Sequence, residues 1–376
     1  MSKTAAILIS RQGLHPCRLT PWIVQVKKAI HWLQANSYQL YTSTGIQTWE
    51  MQIFFAQQAD LNQTIVIPAN DATDFEDLRQ TALTQFCLDS NRVRFEKICP
   101  HGSKSLQYQR DAKIITNSDI LIPVSIRKKG HMETLIHKAP AKKCLINDFQ
   151  IDYHPKKASI AYRIDNRQLS RELPALSPYL IHWTRASNDP WPTEKKFDYY
   201  QAITSSNIYP RSAFAGIENM LTHGVIKASG MHMPQQTPTV SFSGLMPQKA
   251  VSLMHWRPRY CQMSFEPYGI GIEKAYATSM GIQAVQYYKI NRKPKNIAPW
   301  LTQSIGTRSD WRLENEYRYL GDLDLFRIPN DKMICFCYRP SEAKRIQKRF
   351  GIKSLAMVDQ RNPGSDNKDI NKISCT

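Results

Sequence analysis

The chain has 376 residues, more than one hydrophobic core normally serves, so its length alone predicts two domains. Apolar residues make up 42% and charged residues 22%, which is ordinary for a globular protein. No apolar run approaches the roughly 20 residues of a membrane-spanning helix, and the apolar start of the chain is too short for a signal peptide. We therefore expect a cytoplasmic protein with no membrane partner.

The charge of the chain is strongly positive, with 50 Lys and Arg against 31 Asp and Glu and a formal net charge of +19. Residues 1–150 carry 18 of the basic and 12 of the acidic side chains, so most of the excess follows the C-terminal half. A surplus of this size attracts polyanions over a Debye length. Nucleic acid is therefore a candidate partner of that half, and a solvated basic surface is the alternative.

Eight cysteines in so long a chain do not form a disulfide framework, and none makes a CxxC pair with metal-ligand spacing. The sequence therefore predicts structural thiols and no metal site.

The first 150 residues alternate between short apolar runs and amphipathic stretches. The predicted strands are Ala5–Ser10, Gln39–Thr42, Thr64–Pro68, Arg94–Ile98, Ile120–Val124 and Cys144–Ile146. The predicted helices are Trp22–Ala35, Thr48–Ala59, Phe75–Phe86, Lys104–Ile115 and Met132–Ala139. Such alternation predicts crossover units on a doubly wound parallel sheet, an α/β domain of the Rossmann-like kind.

The rest of the chain has a different composition. Residues 151–178 contain prolines and lysines without clear periodicity and are predicted to be a linker. Residues 179–357 are richer in Pro and aromatic side chains and predict an α+β domain with short strands, whereas the polar residues 358–376 predict a disordered tail.

Three strand-to-helix junctions of the first domain predict a phosphate-binding site. In a doubly wound sheet, ligands bind outside the carboxyl ends of the strands, where free amides and helix N-termini favour anions. The junctions are 10–13, 42–50 and 125–133, with Thr48 as a candidate helix cap. The candidate ligand-binding residues are Ser10, Gly13, Thr44, Gly45, Thr48, Gly130 and Glu133. The alternative is that these loops only cap helices and that Glu133 complements a helix dipole.

The segment Lys128-Lys129-Gly130-His131-Met132-Glu133 resembles the PGGxGTxxE motif of the LOG and DprA-like superfamily, called SLOG. The resemblance covers about residues 1–150. It implies a domain that binds a nucleotide-derived small molecule. In LOG enzymes the motif's glutamate serves N-glycoside hydrolysis, but lysines replace the paired glycines here, which puts hydrolysis in doubt more than binding.

In the second domain, His182 and Thr184 would lie on one face of a strand because side chains alternate with period two. Such a pair can hold the ribose and amide of a nicotinamide nucleotide, with Arg185 near the phosphates; a satisfied core histidine is the alternative. Residues 213–226 predict an amphipathic helix that ends at Gly224. Glu314, Glu316 and Arg318 would project together from a later strand, either as a site or as a solvated strand with ion pairs.

The order of these elements resembles the ADP-ribosyltransferase-like domains of the DarT and AbiGi type. The resembling segments, over about residues 179–340, are His182-Trp183-Thr184, Glu218–Gly224, Ser241-Phe242-Ser243, Phe265–Ile272 and Glu314–Arg318. The resemblance implies that NAD is the substrate. The implied catalytic residues are Glu316 first, then Glu314, with His182, and the implied NAD-binding residues are His182, Thr184, Arg185, Ser241 and Tyr268.

Two functions from different classes fit these features. The first is a bacterial conflict protein of the abortive-infection or phage-defence kind, in which a nucleotide signal on the first domain licenses ADP-ribosyl transfer, to nucleic acid or another acceptor, or NAD cleavage in the second. The second is a non-catalytic AbiGi-like regulator or antitoxin that binds a partner through a basic helix over residues 342–350. A nucleotide hydrolase centred on Glu133 is the third and least favoured hypothesis.

Overall fold

The computed structural model describes residues 3–99, 105–140, 144–154, 162, 164, 166–173, 178–231, 233–257, 262–289, 292, 294–305 and 311–359. The chain forms two compact units. The first comprises residues 1–158 and 188–210, and the second comprises 159–187 and 211–367. Much of the predicted linker 151–178, and the predicted tail from residue 360 onward, lie outside the described residues.

The first unit is built on a six-stranded parallel sheet in the order β4-β3-β2-β1-β5-β6. Its strands are β1 (Thr4–Ile9), β2 (Gln39–Ser43), β3 (Gln63–Pro68), β4 (Val93–Ile98), β5 (Ile120–Ser125) and β6 (Cys144–Leu145). The inner strands are buried along nearly their whole length because helices cover both faces of a parallel sheet. The prediction of a doubly wound α/β domain is confirmed.

Five helices join these strands, and a sixth belongs to the same unit although it follows the predicted linker. They are α1 (Pro21–Ala35), α2 (Gln47–Gln58), α3 (Ala72–Gln85), α4 (Leu106–Asn117), α5 (His131–His137) and α6 (Lys196–Ser205). The sequence of α1 explains why a helix forms there. Pro21 occupies its first turn, and Ile23, Val26 and Ile30 form a buried apolar face.

Strand β1 lies between β2 and β5, so the strand order reverses beside it. The chain runs from β1 through β2 and β3 to β4 on one side and then returns to β5 on the other. Crevices at such reversal points are where open α/β sheets bind ligands. The loops that follow β1 and β5 therefore flank the preferred binding position of this unit.

The second unit contains a seven-stranded, mostly antiparallel sheet in the order β13-β16-β9-β7-β12-β18-β19, in which β18 and β19 run parallel. Its strands are β7 (Tyr179–Trp183), β8 (Val225–Ile226), β9 (Thr239–Ser243), β10 (Trp256–Arg257), β11 (Gln262–Met263), β12 (Gly269–Glu273), β13 (Gln283–Ala284), β14 (Gln286–Tyr288), β15 (Thr302–Ser304), β16 (Glu316–Leu320), β17 (Leu323–Asp324), β18 (Met333–Cys337) and β19 (Lys353–Ala356). Its helices are α7 (Ala213–His223), α8 (Pro247–Ala250), α9 (Lys274–Ser279) and α10 (Pro340–Phe350). The predicted α+β class is confirmed.

Two details of this sheet position the candidate site. Gly269 and Gly271 on β12 leave no room for a side chain, since a Cβ atom would come within 2.9 Å of Ile181 and 2.8 Å of Ile334, respectively. Strands β7 and β9 pair only where Ile181 faces Ser243. His182 lies beside that pair, with its Nδ1 2.9 Å from the Ser241 carbonyl oxygen of β9.

None of the helices in the part of the chain that the structure describes combines the length and the apolar character that crossing a bilayer requires.

Candidate functional sites

The loops after β1 and β5 are tied together at the strand-order reversal. The Ser10 hydroxyl accepts a hydrogen bond from the Arg127 backbone N–H at 2.9 Å. The cationic side chains of Arg11, Arg127, Lys128 and Lys129 are exposed on these loops. The sheet edge beside β1 is therefore bordered by two linked loops with four positive charges.

The predicted phosphate turn after β2 is occupied by a carboxylate of the protein itself. Gly45 adopts a φ of +93°, and its N–H donates to Glu50 Oε1 at 3.2 Å. Glu50 is 7% exposed and also accepts from Lys196 Nζ at 2.5 Å and from the Tyr200 hydroxyl at 2.8 Å. The anion at this helix start is thus Glu50, supported by two residues of α6.

The predicted cap of α2 is wrong. The cap residue is Ile46, which has no side-chain cap, and Thr48 lies inside the first turn. The Thr48 hydroxyl is buried without a hydrogen-bond partner among the described residues, so it does not terminate the helix. Thr44 contributes a backbone carbonyl instead, which accepts from Arg110 at 3.3 Å.

The junction after β5 repeats this arrangement. Gly130 is the cap residue of α5, and a Cβ atom there would lie 2.9 Å from the Arg127 carbonyl oxygen. Glu133 Oε2 accepts the Lys129 N–H at 2.6 Å. Glu133 therefore complements its own helix start, as the simpler interpretation of this loop predicts. Gly13 lies, half-buried, in the loop after β1.

A buried charged group at the same edge was missed by the sequence analysis. Asp111 is 2% exposed and binds Arg110 Nη2 at 2.8 Å and His131 Nε2 at 2.9 Å. Arg110 is itself 3% exposed and lies 5.7 Å from the Trp49 ring centre. The sequence pattern could have revealed this group, because Arg110 and Asp111 fall on the apolar side of an amphipathic helix.

In the second unit, Ser241 contacts both His182 and Glu316. His182 Nδ1 is 2.9 Å from the Ser241 carbonyl oxygen, and the Ser241 hydroxyl donates to Glu316 Oε1 at 2.8 Å. Because a carbonyl oxygen only accepts, Nδ1 carries the proton and Nε2 is left as an acceptor. Burial lowers the pKa of His182, so the imidazole is neutral at pH 7.

The strand register nevertheless sends the two side chains to opposite faces of the sheet. Ile181 pairs with Ser243, and Ser243 pairs with Glu316, so these three residues share one face. His182 is on the other face, with its ring 5.9 Å from that of Phe242. The imidazole and the carboxylate therefore do not converge on one side of the sheet and are connected only through Ser241.

Glu316 is the counter-ion of a buried arginine. Arg318 is 1% exposed and donates to Glu316 Oε1 at 2.8 Å and Oε2 at 2.9 Å. It also donates to the Trp300 carbonyl at 2.7 Å and to Gln303 Oε1 at 3.0 Å. Both carboxylate oxygens of Glu316 thus already accept hydrogen bonds from Arg318.

The prediction that Glu314 shares a strand with Glu316 is wrong. Glu314 ends a 3₁₀ turn, and Asn315 takes a left-handed φ of +46°, so β16 begins only at Glu316. Burial and the nearby Glu316 carboxylate raise the pKa of Glu314 to about 7. This carboxyl therefore changes protonation near neutral pH, as a general acid or base does.

Each of the other residues predicted to bind NAD contacts a different part of the second unit. Thr184 lies beyond the end of β7, facing Gly216 on α7, and Arg185 donates to the Ser264 carbonyl at 3.3 Å. Tyr268 is 4% exposed, and its hydroxyl lies 3.0 Å from Glu342 Oε1. The Tyr268 ring belongs to the core here and is not exposed for stacking.

Tyr268 is part of a buried polar group that the sequence analysis did not find. Tyr162 hydrogen-bonds both Tyr268 and Glu266, and Glu266 Oε1 accepts the Ala186 N–H at 2.8 Å. Glu266 is 3% exposed, and its Oε2 has no hydrogen-bond partner among the described residues. Burial raises the pKa of Glu266 to about 7 and also raises that of Glu342.

Comparison with known proteins identifies no family: no family model and no curated protein matches the chain. Among solved structures, the molybdenum cofactor carrier protein of Chlamydomonas reinhardtii is similar, with 11% identity and a TM-score of 0.26 over 39% of this chain and 75% of that chain. A similarity this low supports no inference about function. The architecture of the first unit rests on its own strand order.

The buried Glu266 carboxyl predicts how stability depends on pH. Its folded pKa of about 7 exceeds that of an unfolded Glu, so between these values the folded chain binds more protons and its stability falls as pH rises. Glu266→Gln should make this fall smaller, by on the order of 3 kcal/mol between pH 4 and 8.

The measurement is the free energy of unfolding of both proteins at the two pH values, so that a pH-independent effect of the amide cancels. Glu172→Gln, which removes an exposed carboxylate, is the control and should retain the wild-type difference. An equally steep fall in Glu266→Gln would contradict the assignment.

Proposed function

We propose that the first unit binds an anionic, nucleotide-derived small molecule at the carboxyl edge of its sheet, between β1 and β5. The observation that carries this proposal is the link from Ser10 to Arg127, which joins the two loops beside the strand-order reversal. The exposed side chains of Arg11, Arg127, Lys128 and Lys129 give these loops the charge that a phosphate requires. The His131–Asp111 pair lies at the start of α5, next to the second loop.

Binding fits this edge better than hydrolysis does. Glu133, the residue that a glycoside hydrolase of this kind would use, already accepts the Lys129 N–H. The Gly45 turn holds Glu50 as its anion in the same way. A ligand phosphate would therefore be bound by the side-chain cations of the loops after β1 and β5, and we assign the unit a sensing role.

We further propose that the second unit binds NAD and transfers ADP-ribose to an acceptor, or cleaves NAD. The specific support is Ser241, whose hydroxyl binds Glu316 and whose carbonyl accepts from His182 on the opposite face of the sheet. His182 would therefore act on the carboxylate side only by positioning Ser241, and Arg185 could pair with the pyrophosphate. Cleavage of the glycosidic bond develops positive charge on the ribose, which a carboxylate from Glu316 or Glu314 would stabilise.

The two proposals together describe a cytoplasmic sensor-effector of bacterial conflict or phage defence. The competing proposal is a regulator or antitoxin without catalysis, and two contacts favour it. Arg318 donates to both carboxylate oxygens of Glu316, and the buried Tyr268 is hydrogen-bonded to Glu342. A regulator would neither bind nor consume NAD, which separates the two.

The first proposal predicts that removing the cations of the β5 loop weakens nucleotide binding. Replacing Arg127, Lys128 and Lys129 by Ala should raise the Kd for AMP or ADP roughly 10- to 100-fold, because charge-assisted contacts to phosphate are lost. Isothermal titration calorimetry measures this. Lys27→Ala with Lys28→Ala, on exposed positions of α1, is the control and should bind normally. Equal Kd values for both variants, or no binding to the wild type, would count against the site.

The second proposal predicts loss of NAD turnover when the acids are neutralised. Glu314→Gln is the cleaner variant because Glu314 forms no ion pair among the described residues, whereas Glu316→Gln leaves the buried Arg318 without its counter-ion. Labelled NAD, incubated with and without nucleic acid, should be consumed by the wild type and at least tenfold more slowly by each variant. Wild-type turnover in both variants, or a wild type that consumes no NAD, would rule out this chemistry.

A further inference from the structure

A buried carboxylate orients an exposed histidine at the carboxyl edge of the first unit. Asp111 is 2% exposed, and its Oδ1 binds Arg110 Nη2 at 2.8 Å. Its Oδ2 lies 2.9 Å from Nε2 of His131, whose side chain is 59% exposed. Because a carboxylate oxygen only accepts, Nε2 carries the proton. The other ring nitrogen, Nδ1, is left as an acceptor and has no partner among the described residues.

The same contacts place His131 beside the end of β1. Arg110 Nη1 donates to the carbonyl of Thr44, in the loop after β2, at 3.3 Å. Contacts therefore run from the loop after β2, through Arg110 and Asp111, to His131 after β5. Strand β1 lies between β2 and β5, which are thus only about 10 Å apart. His131 therefore borders the part of the sheet edge where β1 ends.

A tight turn connects His131 to the cations of the β5 loop. The Gly130 N–H donates to the Arg127 carbonyl at 3.1 Å, which closes a four-residue turn with two exposed lysines in its middle. The Arg127 N–H donates in turn to the Ser10 hydroxyl after β1. His131 directly follows this turn. Residues 127–131 thus carry three cations and one hydrogen-bond acceptor.

Carboxylates near this turn do not cancel its charge. Asp111 is paired with Arg110, and Glu133 accepts the Lys129 N–H at 2.6 Å. The cations of the turn therefore outnumber the one carboxylate, Glu133, that has no cation partner of its own among the described residues.

We propose that Nδ1 of His131 accepts a hydrogen bond from a ribose hydroxyl, so that the first unit prefers ribonucleotides to deoxyribonucleotides. This inference rests on the proposed nucleotide binding at the same edge and adds the sugar of the ligand. A phosphate presents acceptor oxygens, which suit the cations and not an acceptor nitrogen. The ribose directly follows the phosphate in a nucleotide, so its hydroxyls are the nearest donors. Asp111 is a positioning residue, because it determines which nitrogen of His131 accepts.

The test is isothermal titration calorimetry of the full chain with AMP and with its 2′-deoxy and 3′-deoxy analogues. The wild type should bind AMP roughly 3- to 10-fold more tightly than at least one analogue, the effect of one hydrogen bond on an exposed ring. His131→Phe, which keeps a ring without an acceptor, should bind AMP only as well as that analogue. His137→Phe, at an exposed position of the same helix, is the control and should keep the preference.

Asp111→Asn should lower the ratio of the two affinities, whereas a purely structural role of Asp111 would lower both affinities equally. Equal binding of AMP and both analogues by the wild type would overturn this inference and leave the proposed anion site intact. No binding of AMP would remove both. An equal loss of affinity for AMP and the analogues in His131→Phe would show that the imidazole contacts another part of the ligand and would also overturn the inference.

Discussion

The buried guanidinium of Arg318 is the interaction on which the second unit depends most. It joins β16 to the segment around β15 through Trp300 and Gln303, and it holds both oxygens of Glu316. A buried charge deprived of its partner is strongly destabilising, so removing either side chain alone should destabilise the unit. Through Glu316 it also orients the hydroxyl of Ser241, whose carbonyl accepts a hydrogen bond from His182 Nδ1. Any chemistry at Glu316 has to coexist with this structural role.

At the sheet edge of the first unit, carboxylates of the chain itself also satisfy polar groups. Helix starts there would leave amides unpaired, and acids from the chain, Glu50 and Glu133, accept the amides of Gly45 and Lys129. These carboxylates occupy the positions that a sequence motif would assign to a ligand phosphate. The proposed ligand would instead lie beside β1, where the Ser10 hydroxyl binds the basic loop that follows β5.

The sequence predicted the first unit closely because buried parallel strands and amphipathic helices have distinct periods, and the predicted bounds differ from those in the structure by at most three residues. It could not assign α6 to this unit, since the contacts of Lys196 and Tyr200 with Glu50 join positions about 150 residues apart. Glu314 was misplaced because the left-handed Asn315 breaks the alternation expected of a strand.

The role of the Arg318–Glu316 pair is tested most directly by a double-mutant cycle. The single variants Glu316→Gln and Arg318→Met and the double variant would be compared by native-state hydrogen exchange of the β9 and β16 amides, which reports the unfolding of this unit. Each single change should cost about 3 to 5 kcal/mol, and the double change should cost at least about 2 kcal/mol less than their sum. Additive costs would show that the two side chains do not depend on each other and would contradict this account.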